Sequence, residues 1–289
     1  MRGRPERRPW AAWLAAGVLA VLAGGAVLAP WLEAVLGVDA QGVDLFRRLS
    51  EPDDTNLLGT DELGRDLAVR LLLAGRVSLV VGLAGAAGAT LIGTAVGLVA
   101  GLAGGRIDAA LMRFTDAVIA LPLLPLLIVL AALDPAKLGL EGQGAWTGVA
   151  RIAVVIALFM WTTTARLVRS EVRSLRQREF VLAARALGAG AVTVALRHLL
   201  PNVAAIALVA GALAVGHAIL TESVLSFLGL GVQPPLPSWG NMLSGAQDLL
   251  FEAPRLALLP GLMIFATVIA VNVLGNHLRD RLDPRSSRR

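Results

Sequence analysis

The sequence predicts an all-α, polytopic membrane protein, and three observations predict it. Hydrophobic residues make up 56% of the 289 residues and charged residues only 16%, whereas a soluble domain carries about 25% charged residues. Apolar runs long enough to cross a hydrocarbon core recur along the chain. Arginine concentrates in certain segments between those runs, the bias expected of the inner side of a membrane. The formal net charge of +5 is distributed in this way, so the partner it implies is a lipid bilayer and not nucleic acid. With no cysteine and only three histidines, neither a disulfide nor a thiolate or histidine-rich metal site is expected.

Six spans follow from the pattern. Residues 1–9, with Arg2, Arg4, Arg7 and Arg8, form an N-terminal segment on the inner side. The first span, 10–31, has a tryptophan near each end, is long for a signal sequence, and is read as retained. The connector 32–76 carries nine acidic and five basic residues and is placed outside. Within it, Leu57–Asp61 reads as a turn and helix cap, with Thr60 or Asp61 accepting orphan N–H groups. Residues 77–276 form a five-helix core domain. The second span lies within 77–105, where Gly93, Gly97, Gly101 and Gly105 recur every fourth residue. They share one helix face and would admit another helix backbone closely. The third span, about 117–133, contains Pro122 and Pro125 and should kink. An outer loop, 134–148, leads to a fourth span at about 146–165.

The connector 166–200 holds seven arginines against two glutamates and is placed inside. It contains a short helix pattern, Phe180–Leu187, ended by Gly188 and Gly190. Val181, Leu182, Ala184 and Leu187 would form an apolar face, docking either a protein partner or the lipid surface. The fifth span, 202–221, starts after Pro201 and includes His217, read as a buried histidine. Residues 222–254 return outside. Pro234, Pro235 and Pro237 make that stretch short helices and turns. The sixth span is 256–275 and the tail 277–289 is arginine-rich and inner. An even number of spans puts both termini on the arginine-rich side.

No metalloprotease, serine-hydrolase or phosphate-loop motif occurs, and Gly101–Arg106 lacks the Lys–Ser/Thr end of a phosphate loop. The chain is therefore expected not to be an enzyme. Ionisable groups are sparse within the spans, which argues against ion-coupled transport and for energy supplied by a partner. A channel or carrier and a membrane scaffold remain the competing classes.

Several stretches carry a family likeness. They are Leu58-Gly59-Thr60-Asp61-Glu62-Leu63-Gly64-Arg65-Asp66, then Gly104-Gly105-Arg106-Ile107-Asp108 with Met112-Arg113-Phe114-Thr115-Asp116. Next come Glu179-Phe180-Val181-Leu182-Ala183-Ala184-Arg185-Ala186-Leu187-Gly188 and Arg197-His198-Leu199-Leu200-Pro201-Asn202. The last is Leu225-Ser226-Phe227-Leu228-Gly229-Leu230-Gly231 with Pro237-Ser238-Trp239-Gly240-Asn241. Over about 57–285 the chain resembles the membrane permease subunit of bacterial ATP-binding-cassette importers, in the dipeptide, oligopeptide and nickel branch, and looks like the second of its two permeases. The resemblance implies the type I importer transmembrane fold and a bacterial inner-membrane location. It also implies a second homologous permease, two ATPase subunits that bind ATP and Mg²⁺, and an extracytoplasmic substrate-binding protein. No cofactor is implied in this chain. The family's coupling loop maps onto Glu179, Phe180, Leu182, Ala183, Ala184, Arg185 and Gly188. Its usual core is Glu-Ala-Ala, three residues, then Gly; Leu182 stands where the glutamate would be.

Overall fold

A computed structural model describes residues 9–122, 125, 126, 129 and 144–282. Among the described residues regular structure is helical, apart from one isolated bridge between Thr60 and Asp66. In chain order the helices are α1 (Pro9–Leu36), α2 (Leu67–Ala103), α3 (Gly105–Ala120), α4 (Ala145–Leu175), α5 (Glu179–Ala186), α6 (Ala191–Phe227), α7 (Trp239–Gly245) and α8 (Arg255–Leu282). Five of these, α1, α2, α4, α6 and α8, are long and apolar enough to cross a membrane. The expected third span is described only at 117–122, 125, 126 and 129, where α3 ends at Ala120 ahead of Pro122; most of the loop after it, the arginines at 2–8 and those beyond 282 lie outside the described residues.

The helices outrun the spans that hydropathy alone marks. α2 and α6 have 37 residues each, roughly 55 Å at helical rise, against a hydrocarbon core of about 30 Å. α2 starts at Leu67, inside the expected connector, because Asp66 caps it: its carboxylate accepts the Val69 N–H at 2.8 Å. α6 starts at Ala191 and runs through Pro201, where the fifth span was expected to begin only at 202. Proline lacks an N–H and crowds the preceding turn. The chain answers with one π-helical turn, Val194–Leu199, and the Asn202 amide donates to the His198 carbonyl at 2.6 Å.

The chain divides into two compact units, with α2, α4, α6 and α8 contributing to both. The first comprises Met1–Val80, Gly144–Val149 and Ile219–His277. Its helix α1 leaves Trp13, Val21 and Val27 exposed, as suits a lipid-facing helix. The loop before α2 is stitched by its own polar groups. Thr60 Oγ1 accepts the Ser50 N–H at 2.9 Å and donates to the Arg47 carbonyl. Asp61 accepts from Leu63 N, Arg65 N and Arg65 Nε, and pairs with Arg70 Nε at 3.1 Å. Thr60 and Asp61 thus organise this loop and do not cap the helix, contrary to the expectation from sequence. Gly64, at φ +75°, is required there, because a Cβ would collide with the Asp44 carbonyl.

The second unit comprises Val81–Gln143, Ala150–Ala218 and Leu278–Arg289. Here α2 and α4 pack almost backbone to backbone. One apolar cluster joins Ala89 to Trp161 and Ala165. A second gathers Val168, Val172, Val181, Val194, Leu199, Val203 and Ala207 from α4, α5 and α6. His217, expected buried, occupies an exposed position on α6.

Candidate functional site

The arginine-rich connector resolves into a short helix on a fixed base. α5 has Glu179 in its first turn and Arg185 in its last, the arrangement a helix dipole favours. It ends in a left-handed turn: Gly188 has φ +87°, its N–H reaches Arg185 O at 2.9 Å, and Ala189 N reaches Ala184 O at 3.0 Å. Val181 is fully buried among Val168, Val172, Val194, Leu199 and Val203. That anchors α5 to α4 and α6. Val181 therefore faces inward and leaves the expected docking face. The exposed apolar surface is instead Phe180, Leu182 and Leu187, at 44%, 53% and 90% exposure. Glu179, Ala183, Arg185 and Gly188 are exposed with them, and Ala184 is half-buried.

The neighbouring arginines are not all free to meet a partner. Asp108 of α3 is buried and takes a two-pronged contact from Arg169, Nε to Oδ1 and Nη2 to Oδ2 at 2.7 Å, with Arg173 at 3.8 Å. Arg176 donates to the Gly101 carbonyl at 3.1 Å, capping the end of α2. Arg166 meets Asp116 at 2.5 Å in a solvent-exposed pair. In the sequence these arginines are topology signals only, and their partners are not visible there. Their spacing on α4, 166, 169, 173 and 176, was the signal that one helix face is basic.

The Arg169 hydrogen bond holds the Asp108 carboxyl below the usual carboxylate range, against the opposing effect of burial. A carboxyl lowered in the folded state stabilises fully above its unfolded value, and the effect fades as pH falls through the lowered folded value. Asp108→Asn should therefore lower stability at pH 7 by about 2 kcal/mol, the scale of a hydrogen bond to a charged group. Thermal unfolding in detergent checks this. The gap in Tm between wild type and variant should close below the ordinary carboxylate range, and a gap independent of pH would refute the assignment.

The glycine face lies alongside. A Cβ at Gly93 would fall 2.5 Å from the Trp161 carbonyl, at Gly97 2.5 Å from the Ala165 carbonyl, and at Gly101 2.7 Å from Val172 Cβ. Gly85 and Gly88, which the four-residue repeat did not include, are also tight, at 3.0 Å from Ile156 Cγ2 and 2.8 Å from Ala157 Cβ. Gly105 differs. α2 ends at Ala103, Gly104 turns the chain at φ +66°, and Gly105 opens α3 with nothing near its Cβ position.

The fold is thus that of a polytopic membrane protein which presents a short anchored helix between two of its spanning helices. The chain belongs to the binding-protein-dependent transport system inner membrane component family, whose model matches residues 93–288. It is 42% identical over 275 residues to the nickel transport system permease protein NikC of Escherichia coli, covering 95% of this chain and 94% of that one. It is 36% identical over 296 residues to the glutathione transport system permease protein GsiD of Pectobacterium atrosepticum, covering 99% and 94%. It is 40% identical over 238 residues to the dipeptide transport system permease protein DppC of Alkalihalophilus pseudofirmus, covering 82% and 75%. The chain is a membrane permease subunit of an ABC importer, and such a subunit is not itself an enzyme.

Proposed function

We propose that this chain forms half of the translocation pathway of an inner-membrane importer for peptides or related small solutes, and receives the ATPase stroke through α5. The observation that carries the coupling role is the exposure of Phe180, Leu182 and Leu187 on and at the end of a helix whose buried Val181 fixes it to α4 and α6. A push on that surface is transmitted to two long helices. The second half of the pathway belongs to a homologous permease. ATP and Mg²⁺ belong to two ATPase subunits, and substrate arrives on an extracytoplasmic binding protein. The similar proteins are named for nickel, glutathione and dipeptides. Two of these three are peptides, which supports a peptide-like solute. Mass spectrometry of whatever co-purifies with the partner binding protein tests this directly, and a non-peptide ligand would overturn it.

The topology proposed is six spans, 10–31 and five more within 77–276, with 1–9, 166–200 and 277–289 cytoplasmic. The arginine bias supports it. Because the chain lacks cysteine, single cysteines report cleanly. Asp54→Cys should label from the outside of intact cells with an impermeant maleimide, and Gln177→Cys only after the membrane is opened. Labelling of both from one side would refute this topology.

A further inference from the structure

In the first unit a carboxylate is buried and, among the described residues, forms no ion pair. Glu222, near the end of α6, is 0% exposed. One carboxylate oxygen accepts from Ser78 Oγ of α2 at 2.9 Å, and the other from Ser226 Oγ, one turn along α6, at 2.6 Å. Each hydroxyl in turn accepts a backbone N–H: Trp239 N donates to Ser78 Oγ at 3.2 Å, and Val232 N to Ser226 Oγ at 3.1 Å. Two relays, each running from amide to hydroxyl to carboxylate, thus converge on one side chain.

The donor and acceptor count selects glutamate. Each serine oxygen accepts one N–H, donates its proton to a Glu222 oxygen, and keeps a second lone pair. A group accepting at two oxygens takes both hydroxyl protons at once. Glutamine keeps one accepting oxygen and sets an NH₂ against the other hydroxyl, which must turn its proton away and accept instead, so that arm loses its charge-assisted bond and is weakened.

What the arms hold is the proline-rich stretch 228–241 and the start of α7. Trp239 is buried and donates from its indole to Leu71 O at 3.1 Å, in room made by Gly75. Gly240 lies against α6 so closely that a Cβ would fall 2.5 Å from the Ser223 carbonyl. Asn241 shares a capping box with Ser238 and donates to the Val232 and Leu236 carbonyls, making the stretch one body. That body lines a cavity of about 260 Å³ through Pro234, Pro235 and Leu236, together with Asp61, Arg65 and Arg70. A buried carboxylate with only neutral partners is costly. A joint meant to stay closed is served at less cost by apolar packing, whereas one that must part and re-form needs polar groups that water can satisfy when it opens.

We propose that Glu222 is a positioning residue of the external mouth: with Ser78 and Ser226 it latches segment 228–241 onto α2 and α6 at rest, and the latch parts during transport. This rests on the importer reading of the chain. The test uses Val232→Cys, a buried site in a chain without other cysteines. Right-side-out vesicles carry the full complex of both permeases, both ATPases and binding protein, and an impermeant maleimide reports exposure. In the native Glu222 background labelling should be slow at rest. It should quicken about tenfold with ATP and whichever of dialanine, glutathione or nickel the vesicles take up. With Glu222→Gln added, resting labelling should already be about tenfold faster, the factor that ~1.4 kcal/mol of latch stability gives. Ser78→Ala should act likewise. An intact Gln-variant complex that labels as slowly as its parent overturns the latch. So does a parent whose labelling rate does not rise while uptake proceeds, and this holds even if the Gln variant fails to assemble. Absence of uptake by the wild-type complex counts against the importer reading instead, and the resting comparison still decides the latch.

Discussion

Gly97→Leu is expected to abolish assembly of the permease. A Cβ at position 97 would already lie 2.5 Å from the Ala165 carbonyl, 2.8 Å from Val168 Cβ and 3.0 Å from Arg169 N. Overfilling a contact between side chains typically costs roughly 1–3 kcal/mol because rotamers can give. Here two of the three obstructing atoms are backbone, so the helices themselves must separate. Separation withdraws the contacts at Gly93 and Gly101 as well, and it displaces Arg169, which holds Asp108. In a bilayer there is little hydrophobic gain to restore the pair, since lipid tails are as apolar as the helix faces. Yield of the intact complex after detergent extraction should fall ~10-fold or more, equivalent to at least about 1.4 kcal/mol. Gly17→Leu on α1 supplies the control, because nothing lies within 4 Å of its Cβ position, and its yield should match wild type. Normal yield and uptake for Gly97→Leu would show that the close packing of α2 on α4 is dispensable.

Hydropathy and arginine bias made the all-helical membrane fold legible, because a bilayer permits few alternatives to a run of apolar helix. The same signal was poor at helix ends. α2 begins at Leu67 because of a cap on Asp66, and α6 begins at Ala191 because a π turn accommodates Pro201. Both are local hydrogen-bond solutions that hydropathy does not register. The glycine repeat marked a packed face through Gly93, Gly97 and Gly101, but spacing continued it to Gly105, past the turn at Gly104 where the helix had stopped. On α5 the apolar set was visible in the sequence and its direction was not. Val181 and Leu182 are adjacent, and only the positions of α4 and α6 decide that the first is buried and the second exposed. The Glu222 relays join residues 78, 222, 226, 232 and 239; only Glu222 and Ser226 are paired by helical spacing, and no local pattern brings in Ser78 or Trp239.

Coupling through α5 should fail when its exposed apolar surface is charged, and it should fail without loss of folding. Leu182→Asp places a carboxylate on a side chain that is 53% exposed in this chain alone. In the free subunit that change is tolerated, since water solvates the new charge. Docked against an ATPase, the same carboxylate would be buried without a partner, and an uncompensated buried charge costs roughly 3–5 kcal/mol. At 1.4 kcal/mol per factor of ten, docking weakens at least ~100-fold. Gly188→Arg acts by a different route. Its φ of +87° strains any residue with a Cβ, while open space at that position removes collision as an explanation. The turn after α5 should shift and carry Leu187 with it. Val181→Asp is the contrast: it puts a charge into the cluster of Val168, Val172 and Val194 and should reduce the amount of folded subunit. The decisive measurement is ATP hydrolysis by the reconstituted complex, with and without substrate-loaded binding protein. Leu182→Asp and Gly188→Arg should insert at wild-type levels yet lose uptake and substrate-stimulated hydrolysis together. Wild-type stimulation and uptake in both would place α5 on the lipid surface and leave the ATPase contact to another part of the chain.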